Sequence, residues 1–159
     1  MKRNIYIDFS YLVVLAASFG GVIVLGAIVA PTIFHTDTLL YTVTLDHHNA
    51  GIIMASIFHK FSYWIYFLAF FVMGYELAKY KFGQRDSIIF VSSVTVVFSS
   101  FMFSAVYSPK ILQMQTLGAE ATQSDTFKNI HLASELDFKL LAIALLVLFI
   151  RRLMLLRIS

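Results

Sequence analysis

Long uncharged stretches separated by short polar links dominate the chain. From Phe9 to Phe34 there is no Asp, Glu, Lys, Arg or His, and Ser87 to Ser108 is equally free of them. At about 1.5 Å of rise per residue, both exceed the roughly 20 residues that a helix needs to cross a hydrocarbon core. Gly51 to Leu77 and His131 to Ile150 are as long, but each carries ionisable residues near one end. The pattern predicts a single all-α membrane domain over residues 1–159, with spans at about 9–34, 47–78, 87–108 and 129–152. Short links make consecutive spans antiparallel, so the expected fold is an antiparallel four-helix bundle in the bilayer.

Composition and charge sharpen this picture. At 59% hydrophobic residues with only two prolines, the chain is neither disordered nor fibrous, and nothing outside the spans is long enough to fold as a soluble domain. The absence of cysteine excludes disulfides, thiolate metal sites and cysteine nucleophiles. A net charge of +3 does not indicate nucleic-acid binding, because the basic residues flank the spans instead of forming one face. Lys2, Arg3, Lys79, Lys81, Arg85, Arg151, Arg152 and Arg157 all fall on one side, which places both termini in the cytoplasm and the protein in the inner (plasma) membrane as a multi-pass protein. The first apolar stretch runs well past the length of a signal-peptide core, so it is expected to remain as a span.

Within the spans, Ala17, Gly20, Gly21, Gly26 and Ala27 form a small-residue stripe that lets helices approach in lipid. Pro31 sits near the end of the first span, where a lost backbone hydrogen bond is recovered from water. Ser92, Ser93, Ser99, Ser100 and Ser104 are expected to bond back to their own helix, although they could line a polar path. The aromatic residues Tyr63, Trp64, Tyr66 and Tyr107 read as packing and interface anchors. No phosphate-binding glycine loop, His-Glu-x-x-His motif or serine elbow is present.

Ionisable residues inside the apolar stretches carry the chemistry. Lys60 and Glu135 stand at similar depth, some 22 to 26 Å from the cytoplasmic ends of their spans, with His59 and His131 a little further out. His131, Glu135 and Lys139 follow at intervals of four and share a face, from which Asp137 points away. Two arrangements are open. In one, Lys60, Glu135 and Lys139 form a structural ion pair and the histidines lie at the headgroup boundary. In the other, His59, His131 and Glu135, helped by His48, hold a divalent metal, or His59 and His131 serve as axial ligands of a haem. His48 and His59 share a face but lie about 16 Å apart along a helix, too far for one ion.

Val29-Ala30-Pro31-Thr32-Ile33-Phe34 at the end of the first span, Ala50-Gly51-Ile52-Ile53-Met54-Ala55-Ser56-Ile57-Phe58 at the start of the second, and Phe127-Lys128-Asn129-Ile130-His131-Leu132 opening the fourth resemble a family of small membrane proteins. That family is the domain of unknown function numbered 4149, related to transmembrane protein 205. The resemblance implies a four-helix membrane domain and no established reaction. A more distant likeness is to copper-resistance D proteins and membrane protoporphyrinogen oxidases, which pack histidines into a small bundle. The oxidases show Pro-Arg where this chain has Pro31-Thr32, so the porphyrin reaction is not implied.

The expected function is non-enzymatic: cation or metal handling, or an accessory role in the envelope, through a His/Lys/Glu cluster near the outer face. A haem- or porphyrin-linked redox enzyme and a structural subunit of a membrane complex are the alternatives. The lipid bilayer is the expected partner, with a homo-oligomer or a larger membrane complex open.

Overall fold

The computed structural model describes residues 5–36 and 45–158, so Lys2, Arg3 and most of the link between the first two spans lie outside the described residues. Its elements are helical: α1 (Ile5–Phe34), α2 (His47–Lys81), α3 (Ser87–Thr116), the short α4 (Ala119–Gln123) and α5 (Asp125–Ile158). No strand occurs among the described residues.

Local chemistry sets the helix boundaries. The Asp46 carboxylate accepts from the Asn49 amide at 2.8 Å and caps α2. Asp86 accepts from the Ile88 and Ile89 amides, both at 3.0 Å, and caps α3. Ser124 accepts from the Phe127 amide at 3.2 Å ahead of α5. Between α2 and α3 the chain reverses through Gly83, whose φ of +86° is a conformation that only glycine adopts without strain.

Three helices, α1, α2 and α3, are long and apolar enough to cross a membrane. The expected fourth span differs. α5 has 34 residues, but its uncharged run is confined to Leu140–Ile150, with Glu135, Asp137 and Lys139 on one side and Arg151 and Arg152 on the other. Its length matches a span and its composition does not.

α1 packs on α2 and α5, and α3 packs on the same two helices. Their shared core holds Leu15, Ile65, Leu68, Val96, Leu141, Leu145 and Leu148, all fully enclosed. Phe70, Phe90, Phe98 and Ile143 are more than half exposed on the perimeter. An apolar rim of this kind suits lipid rather than water. The small-residue stripe of α1 is used in part: Gly21 lies where an added methyl would come within 3.1 Å of the Phe61 ring, and Gly26 faces Phe138, whereas Gly20 borders open space.

α1 and α3 repeat one design 78 residues apart. Each contains a π turn, Val24–Val29 and Met102–Tyr107, just before its proline, Pro31 and Pro109. A proline ring collides with the carbonyl four residues earlier, here Ala27 and Ala105, and the wider turn gives that carbonyl room. Asp8 and Asp86 near the helix starts keep the same spacing. So do the buried positions Tyr11 and Ile89, Leu15 and Ser93, Ser18 and Val96, and Val22 and Ser100. Polarity thus enters the interior of α3 where α1 has Leu15 and Val22.

Candidate functional site

At the end where α1 and α3 begin and α2 and α5 finish, the terminal end, three acids and three bases neutralise one another. Asp8, 2% exposed, accepts from the Lys79 ammonium at 2.5 Å and the Tyr75 hydroxyl at 2.7 Å. Glu76 accepts from the Tyr11 hydroxyl at 2.6 Å and from Arg152, whose Nε lies 3.0 Å away and whose Nη2 contacts the second oxygen. Arg152 also donates to Gln84 Oε1 at 3.1 Å. The Tyr11 and Tyr75 rings stack at 3.7 Å between the two ion pairs. Arg151 donates to Asp86 through Nε and Nη2 at 3.0 and 2.7 Å. These links tie the start of α1 to the end of α2, and α5 to both α2 and the start of α3. The three ion pairs join side chains of different helices, and Asp86 is held in addition by the Ile88 and Ile89 amides, so the cluster is a structural lock.

The sequence expectations did not find this lock. Its signal was present: Asp8 and Glu76 are isolated acids placed beside the basic ends of the spans, where Lys79 and Arg152 were read only as orientation signals.

The residues singled out from the sequence are dispersed toward the opposite end, where α1 ends, α2 begins and the link 117–124 lies. Glu135 pairs with Lys139 at 2.6 Å, one turn along its own helix, and both side chains are at least half exposed. Lys60 is exposed and makes no ion pair with Glu135. His131 is exposed and stacks on Phe127 at 5.8 Å. His59 is half-buried with its ring 5.9 Å from that of Tyr63, and His48 is half-buried near the start of α2. Among the described residues, no three His, Asp or Glu side chains come together as a group that could hold a metal ion.

A different set of groups is conspicuous there. Ser92 and Ser93 bond back to the Ile88 and Phe90 carbonyls, as expected. Ser104 instead donates across to the Ser62 carbonyl of α2 at 3.4 Å. Ser100 Oγ, Ser108 Oγ, Gln115 Oε1, His48 Nδ1 and His59 Nδ1 are buried without a hydrogen-bond partner among the described residues, and Ser99 Oγ and Asp137 Oδ2 have none there beyond each other. Asp137 points away from the Glu135 face, as expected, which turns it inward to Ser99 on α3. No basic side chain pairs with it among the described residues. Gln115 enters against Gly51, where an added methyl would lie 2.5 Å from its amide nitrogen, and His48 is one turn before that glycine. Ser99, Ser100, Ser104, Ser108 and Gln115 are the buried polar side chains along the last stretch of α3, which from Ser99 to Gln115 spans about 24 Å of helix. Buried polar atoms are otherwise almost always satisfied.

A family model described as a domain of unknown function, DUF4149, matches residues 13–120, from within α1 to the start of α4. No curated protein and no solved structure matches the chain. A match over two-thirds of the sequence, covering all three apolar helices, shows that the chain belongs to the DUF4149 family.

Proposed function

We propose that this membrane protein binds and releases a proton at Asp137, fed through a polar tract along α3 from the side where α1 ends and α2 begins. The proposal includes α5 as a fourth span, an antiparallel four-helix bundle, and both termini in the cytoplasm of the inner membrane. Packing of α5 on α1 and α3 supports the fourth span, and the basic residues gathered at the terminal end support the orientation.

The observation that carries the reading is a contrast between the two ends. At the terminal end, three acids meet three bases. Asp137 has no basic partner among the described residues and lies beside Ser99 of α3, the helix that also carries Ser100, Ser108 and Gln115, whose buried polar atoms have no partner there. A carboxylate left alone inside a bilayer is costly, so its charge has to be met by a proton or by a cation reaching it along the tract. Hydroxyl and neutral imidazole groups can accept a proton on one side and pass one on from the other, while an amide such as that of Gln115 can orient a water that does so. The unpartnered nitrogens of His48 and His59 also support a metal-handling reading, in which exposed His131 and Glu135 would have to be recruited to complete a ligand set.

Proteoliposomes enclosing a pH-sensitive dye, with a potassium gradient and valinomycin to drive charge, test the proposal. Purified protein is expected to accelerate the pH change over empty vesicles, Asp137→Asn to abolish the acceleration, and Glu135→Gln to preserve it. Rates equal to those of empty vesicles, or full activity in a folded Asp137→Asn variant, would overturn it.

A further inference from the structure

We infer that the groove between α2 and α3 at the terminal end holds an acyl chain of an anionic phospholipid whose headgroup rests on Lys81 and Arg85. The groove has a volume of about 570 Å3. Its walls are apolar, with Met73 and Leu77 from α2 and Val94, Phe98 and Met102 from α3. From Asp86 to Met102 it follows α3 for about 24 Å, deeper than the roughly 15 Å that one leaflet contributes to the hydrocarbon core. A long apolar slot of this shape accepts an extended chain lying along the helices.

The mouth supplies the choice of headgroup. Tyr80 and Phe90, whose rings lie 6.3 Å apart, border it together with Gln84. The Arg85 guanidinium sits 5.3 Å from the Tyr80 ring centroid. Lys79, Arg151 and Arg152 are matched by Asp8, Asp86 and Glu76. Glu76 and Asp86 also line the groove, but each is held by its arginine, so their charge is spent. Lys81 and Arg85 are exposed and have no acidic partner among the described residues. Arg85 therefore adds an uncompensated cation beside the mouth, and Lys81, one helical turn after the lining residue Leu77, adds a second at the same end of α2. A headgroup with a net negative charge meets both, whereas phosphocholine brings its own cation and gains less. The inference rests on the groove and these two charges and is independent of Asp137.

Native mass spectrometry of the full-length protein released from detergent tests this, with phosphatidylglycerol and phosphatidylcholine of identical acyl chains as probes. Phosphatidylglycerol is expected to remain bound at lower concentration than phosphatidylcholine. Lys81→Gln and Arg85→Gln should each weaken phosphatidylglycerol about fivefold and leave phosphatidylcholine unchanged. Val94→Trp, which fills the groove, should weaken both lipids, and lipid-free melting temperatures establish that each variant is folded. Equal retention of the two lipids, or wild-type retention by folded Lys81→Gln and Arg85→Gln variants, would overturn the inference. So would a lipid-free dimer that Val94→Trp dissociates, since the groove would then hold a second copy of the chain.

Discussion

Arg152 is 5% exposed, and its guanidinium donates to both Glu76 oxygens and to Gln84. Removing one member of such a pair leaves a buried charge uncompensated, at a cost of about 3–5 kcal/mol, while removing both leaves none. Arg152→Met is therefore expected to destabilise the protein by that amount. The double variant with Glu76→Gln should lose clearly less than the sum of the two single losses, and equilibrium unfolding in detergent reads the coupling. Asp86 behaves differently because it stands outside the span. The Arg151 guanidinium holds its carboxyl below the usual carboxylate range, with the Ile89 and Ile88 amides acting the same way and burial opposing them. A carboxylate with a depressed folded value contributes stability above its unfolded value, near pH 4, and loses it as the pH falls through the folded value. The stability gap between the wild type and Asp86→Asn should be full at pH 6 and close below about pH 4. A gap that does not change with pH would show that the Arg151 pair contributes nothing. Both predictions concern residues that the sequence marked only as flanking charges, because periodicity shows which face a residue occupies and not which helix it meets.

The starts of α2 and α3 were legible, since Asp46 and Asp86 are strong caps, whereas α3 runs on to Thr116, past the end of its uncharged stretch at Ser108, and α5 extends beyond 129–152 at both ends. The serine pattern was legible only in part. Ser92 and Ser93 bond back to their own helix, but Ser99 and Ser100, just ahead of the π turn at Met102–Tyr107, do not. That turn precedes Pro109, and no spacing rule predicts where the widened turn begins. α5 was legible as a helix, and its charged ends are what keep it from reading as apolar throughout. The contact between α2 and α3 offers a direct test at this scale. Gly51 lies buried in α2 against the Gln115 amide. Replacing a mid-helix glycine by alanine normally stabilises by about 1 kcal/mol, but here the methyl would displace Gln115. Gly51→Ala is expected to bring no gain in the wild type and a gain of about 1 kcal/mol in a Gln115→Ala background. Equal effects in the two backgrounds, measured by unfolding, would show that the glycine is not there to admit Gln115.

Across the whole molecule, charge is handled in two ways. The terminal end is closed by side-chain pairs that tie α1, α2, α3 and α5 together, whereas the interior beyond mid-helix keeps polar groups without partners. The membrane class followed from composition alone. Of the expected ion pair, Glu135 and Lys139 meet without Lys60, and among the described residues His48, His59, His131 and Glu135 are not grouped three together, because similar depth along two helices says nothing about the direction in which each side chain turns. Asp137 was set aside for pointing away from Glu135, and that same rotation aims it at Ser99. Cysteine labelling from one side of the membrane tests this account most directly, since the native chain has no cysteine to compete. In intact cells exposed to a membrane-impermeant thiol reagent, Glu120→Cys in α4 and Ser108→Cys within the tract are predicted to label. Val106→Cys, on the exposed apolar face beside it, and Ser87→Cys, at the terminal end, are predicted not to label. Ser108→Cys labelling no faster than Val106→Cys, or Ser87→Cys labelling from outside, would contradict a water-accessible tract that opens opposite the terminal end.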